Sequence, residues 1–90
     1  MSSALPDATC TARFRVTLVP DLGAAMRIIN LFAQQGLLPD RIAVATYPDR
    51  LVVSVSQPGI AAARADLIAA RMQAQVDVAR VVLRTLPASG

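Results

Sequence analysis

From Thr11 to Val19 the side chains alternate, with Phe14, Val16 and Leu18 on one side and Arg13, Arg15 and Thr17 on the other. That two-residue period predicts a strand with one buried face. Pro20 breaks it, and after Asp21, a helix-capping residue type, the period lengthens. Leu22, Ala25, Ile28, Ile29 and Phe32 recur at three- and four-residue steps until Gly36 supplies a stop, which predicts a helix of roughly four turns. Beyond Leu37 to Asp40 a second alternation sets Ile42, Val44 and Thr46 against Ala43, Ala45 and Tyr47. Tyr47-Pro48-Asp49-Arg50 is turn chemistry, so Leu51 to Ser56 reads as the hairpin partner, its Leu51, Val53 and Val55 toward the core. Pro58-Gly59 is expected to open a second helix, Ile60 to about Gln73, with Ile60, Leu67, Ile68 and Met72 in its apolar stripe beside Ala63 or Ala70, and Arg64 and Arg71 on its far face. Gln75 to Arg84 is a β-branched run that favours a strand. Residues 1–8 and 86–90 are polar, small or Pro-bearing and read as flexible ends flanking one domain over 9–85.

The order strand-helix-strand-strand-helix-strand is the split βαβ pattern. It predicts an α+β fold, a ferredoxin-like βαββαβ sandwich with a four-stranded antiparallel sheet and two helices on one face. Right-handed crossovers put the first and third strands in the middle. On the helix-free face the expected residues are Ala43, Ala45, Tyr47 and Val52, then Ala79, Val81 and Leu83, set among Arg13, Arg15, Thr17 and Ser54. Such a face is too apolar for water and predicts an interface, with a homodimer as the expected state.

Composition then narrows the chemistry. Ninety residues, 54% hydrophobic and 17% charged, suit one small core. The chain has no His, Lys, Glu or Trp; its nine basic residues are Arg and its six acidic residues Asp. Without His there is no imidazole acid-base group, no Ser-His or Cys-His pair and no His metal ligand, and Asp21, Asp40, Asp49, Asp66 and Asp77 fall at expected turns, a helix or a strand end. No catalytic residue, metal site or cofactor is therefore expected, and the chain does not read as an enzyme. The arginines are spaced almost evenly along the sequence, whereas a nucleic-acid footprint would cluster them, and the central strands lack the aromatic rings that stack bases. The expectation is no nucleic-acid partner. A lone Cys10 implies no internal disulfide and suits a reducing compartment. The start lacks a signal-peptide pattern and no apolar run approaches the ~20 residues of a membrane span, so a cytoplasmic protein without membrane contact is expected.

Gly23, the stretch Arg27-Ile28-Ile29-Asn30-Leu31-Phe32-Ala33-Gln34-Gln35-Gly36, the run Ile42-Ala43-Val44 and the closing Val76-Asp77-Val78-Ala79-Arg80-Val81 together resemble an ACT domain. Within that family they are most similar to the short regulatory (small) subunit of acetolactate synthase. The resemblance implies a non-catalytic regulatory domain of amino-acid metabolism that acts by contact with a large catalytic subunit. Its alternative is a stand-alone sensor with an amino-acid effector at a dimer interface. It also implies where a ligand would sit: Asp21, Leu22 and Gly23 at the start of the first helix, and Leu38 past its end. Amino-acid-binding members carry a polar residue three before the loop glycine and an Asn two after the helix-ending one, where this chain has Pro20 and Leu38. Physics gives Gly23 a separate reason, since a glycine at a helix N-terminus lets a carboxylate or a partner chain approach backbone N–H groups.

Overall fold

A computed structural model describes residues 9–87, and the expectations for residues 1–8 and 88–90 lie outside that range. Its elements are β1 (Thr9–Leu18), α1 (Leu22–Gln34), β2 (Arg41–Tyr47), β3 (Arg50–Ala61), α2 (Ala62–Gln73) and β4 (Val78–Pro87). The four strands form one antiparallel sheet in the order β2-β3-β1-β4. This is the ferredoxin-like arrangement that the hydrophobic pattern predicts.

The core lies between the sheet and the two helices. Alternation in β1 sends Ala12, Phe14, Val16 and Leu18 inward, and Leu51, Val53 and Val55 of β3 join them. From the helices come Ala24, Ala25, Ile28 and Phe32, then Ala65, Ile68 and Met72. Phe14 and Phe32 meet edge to face, ring centroids 5.2 Å apart, and tie α1 to the sheet's centre. Helix α1 has the ends its sequence predicts. The Asp21 carboxylate accepts the Gly23 N–H at 2.9 Å. At the other end Gly36 takes φ +69°, its N–H bonding the Ala33 carbonyl and that of Leu37 the Phe32 carbonyl. That pair of bonds is a Schellman stop, in which glycine adopts the left-handed conformation without steric cost.

Three expectations need correction. Pro58-Gly59 does not open α2. The strand pairing continues across it, with Ala12 opposite Gln57 and Cys10 opposite Ile60, so that Pro58 and Gly59 form a bulge. Pro lacks an N–H for the ladder and Gly59 sits at φ +65°, which suits both residues to that irregularity. Ile60 is consequently a buried strand residue, and α2 starts at Ala62 with Leu67 on its outer side, 47% exposed. β4 starts at Val78, later than expected, and runs on to place Leu86 and Pro87 opposite Thr11 and Cys10. Those two residues belong to the sheet and not to a frayed tail.

The third correction concerns the face of β4. Arg13, Arg15 and Thr17 pair with Arg84, Val82 and Arg80, and directly paired residues share a face. Val81 and Leu83 therefore pack against the core, and Ala79 falls in the register shift beside Leu18. The helix-free face shows Arg80, Val82 and Arg84 in place of the expected Ala79, Val81 and Leu83.

Candidate functional site

Asp21, Leu22 and Gly23 form the first turn of α1, at the end of the sheet where β1 finishes. Leu38 follows the last turn, in the segment that enters β2. A 13-residue helix separates them, about 20 Å at 1.5 Å per residue. Within one chain Leu38 does not meet the other three. Leu38 is 86% exposed and Leu22 64%, so each offers an apolar side chain to solvent or to a second molecule.

At the α1 N-terminus the Asp21 carboxylate and the Arg27 guanidinium are already partnered. Asp21 takes the Gly23 N–H, the group that would otherwise receive a ligand carboxylate. Arg27, one turn further, donates from Nη2 to Asp77 Oδ2 at 2.5 Å, linking α1 to the turn before β4. The Asp77 carbonyl accepts the Val19 N–H, so the same residue holds the β1–α1 connection from both sides. At the other end Arg64 of α2 donates to the Gln35 carbonyl at 2.6 Å, satisfying an orphan acceptor of α1.

Gly23 has a negative φ, and a Cβ added there would meet Asp21 Oδ1 at 3.4 Å and Arg27 Nη1 at 3.8 Å, ordinary contacts. The fold itself does not require glycine here. Gly23→Ala is expected to leave the stability unchanged or raise it, by up to about 1 kcal/mol from reduced chain entropy. The same change should weaken whatever docks on this turn; a thermal melt paired with the assembly assay described below checks both halves.

Beside α1 lies the edge strand β2, exposed along its whole length. It pairs only with β3, and α1 does not extend over it, so Ile42 (44% exposed) and Val44 (39%) remain accessible on the helix side. The strand has no Pro, and its only charge is Arg41 at its start. It lacks the devices that usually blunt an edge. Leu22 and Met26, 54% exposed, carry the apolar surface along the outer flank of α1.

Among the described residues no group of three or more His, Cys, Asp or Glu side chains could hold a metal ion. Cys10 is buried, its Sγ 3.3 Å from the Ile60 carbonyl. No described helix is long and apolar enough to cross a membrane.

No curated protein matches this sequence significantly. The chain is similar in structure to the C-terminal domain of the MgtC protein from Mycobacterium tuberculosis, solved in solution, with a TM-score of 0.69 and 12% identity over 93% of this chain and 95% of that one. At that identity the likeness is one of fold. A family model described as an ACT-like domain matches residues 4–90, nearly the whole sequence. With the split βαβ order, the Schellman-stopped α1 and the sheet order in place, the chain belongs to the ACT-like domain family.

Proposed function

We propose that this domain is a non-catalytic regulatory module of amino-acid metabolism that works as a homodimer through contact with a catalytic partner, in the manner of an acetolactate synthase small subunit. ACT-like domains are generally regulatory, which supports the class. The observation that carries the reading is the open β2 edge beside α1. Two β2 strands paired antiparallel about a two-fold axis would extend the sheet to eight strands. The same operation brings the start of α1 in one protomer toward the end of α1 in the other. Asp21, Leu22 and Gly23 of one copy then approach Leu38 of its partner, and the site that one chain leaves divided is completed by the second.

The internal pairing of Asp21 and Arg27 at the start of α1 supports contact over amino-acid sensing. Asp21 occupies the position a ligand carboxylate would take, and the Arg27 guanidinium is held by Asp77. Two assays test this. Mixing the protein with an acetolactate synthase catalytic subunit should raise its activity several-fold, and valine, leucine or isoleucine at millimolar concentration should not shift the melting temperature. Absence of stimulation together with a saturable rise in melting temperature would replace the contact reading with the sensor reading.

A further inference from the structure

The even spacing of arginines along the sequence does not survive folding. Register places Arg13 opposite Arg84, Arg41 opposite Ser56 and Thr17 opposite Arg80, while Arg15 and Arg50 project from the same face. Six of the nine arginines stand on the helix-free side of the sheet. They surround a concavity of about 1000 Å³ whose other lining includes Ala43, Val52, Ser54 and Ser56. Arg50 pairs with the adjacent Asp49 at 2.9 Å and lies over the Tyr47 ring. Among the described residues the other five make no ion pair, and Asp40 is the one carboxylate lining the concavity.

Two features narrow the partner's chemistry. Arg13 and Arg84 are directly opposed across neighbouring strands, with Arg15 next along β1. Like charges in that relation destabilise a sheet unless an anion sits between them. A carboxylate brings one charge and is filled by one guanidinium fork, whereas a phosphoryl group brings nearly two charges and three acceptor oxygens that two or three forks can share. The second feature is the floor. Small side chains on β2 and β3, Ala43, Ser54 and Ser56, leave open space beside the arginines of β1 and β4, with Val52 buried beneath them. Tyr47, the one aromatic residue on this face, is already covered by Arg50. A nucleic-acid strand would find no free stacking platform.

The geometry points to a binding site for a small molecule bearing two or more phosphoryl groups, held by Arg13, Arg15, Arg84 and Arg41 on the helix-free face. It lies on the opposite side of the sheet from α1 and is independent of the regulatory site there.

Calorimetric titration of inorganic tripolyphosphate at fixed, moderate ionic strength tests the assignment. Saturable binding is expected, weakened at least tenfold in the R13A/R84A double variant and also in R13K/R84K, because lysine lacks the bidentate fork. Thermal melts of the same variants should show unchanged or higher stability, since the change removes like-charge repulsion and no core contact. A twelve-nucleotide single strand and an oligoglutamate peptide serve as competitors and should displace tripolyphosphate poorly. No saturable binding of tripolyphosphate would overturn the proposal. So would undiminished binding by R13A/R84A, or a preference for the oligonucleotide or the peptide.

Discussion

Phe14→Ala is expected to lower stability by about 3–5 kcal/mol, the usual cost of removing a buried aromatic ring and leaving its cavity. The ring is 1% exposed on the middle of β1, flanked in register by Val55 of β3 and Leu83 of β4, and it meets Phe32 of α1 edge to face. A domain of this size has a total stability on the order of 5–15 kcal/mol, so the loss is a large share of the whole. At roughly 4–8 °C per kcal/mol the melting temperature should fall by at least about 12 °C. Phe32→Ala should cost a similar amount, and the double variant less than the sum, because the two rings share one contact. Thermal melts of the three variants measure this. Additive losses would show that the pair is incidental to the core.

The second large effect concerns assembly. Val44→Lys puts a charge in the middle of the β2 edge at a position already 39% exposed, so the isolated protomer should lose no more than about 0.5 kcal/mol. If two β2 strands pair about an axis near their midpoint, the new lysines face each other across it, as edge lysines do in sheets that avoid pairing. Light scattering at ten micromolar protein should give about twice the 9.5 kDa chain mass for the natural sequence and the single-chain mass for the variant. The variant should also fail to stimulate a catalytic partner if stimulation needs the dimer.

Much of the fold was legible because its signals are local. Alternation over Phe14, Val16 and Leu18 marked β1 and its buried face, and Asp21 and Gly36 bracketed α1 by cap chemistry that each residue carries alone. The misreadings share a cause. Pro58-Gly59 has the composition of a helix opener as much as of a bulge, and only pairing with β1 decides between them. In β4 the run Val81-Val82-Leu83 has no alternation, so its facing depends on its partner strand; the spacing of Arg80 and Arg84 held the only local sign of parity. The arginine face is a more extreme case. Arg13, Arg41 and Arg84 become neighbours through register between strands distant in sequence, which no count along the chain records. Asp21, Gly23 and Leu38 were picked out by family likeness, but one chain keeps them at opposite ends of a helix, so the meaning of their selection rests on a second copy.

That pairing of β2 edges is most directly read from hydrogen exchange at the backbone amides of Ile42 to Thr46. In a lone protomer the amides directed at β3 are protected and the alternate ones, directed outward, exchange with solvent. In the natural protein at several hundred micromolar both sets should be protected, and Val44→Lys should restore fast exchange only to the outward set. Fast exchange of the outward amides in the natural protein at that concentration would contradict the β2-paired dimer and, with it, the completed site.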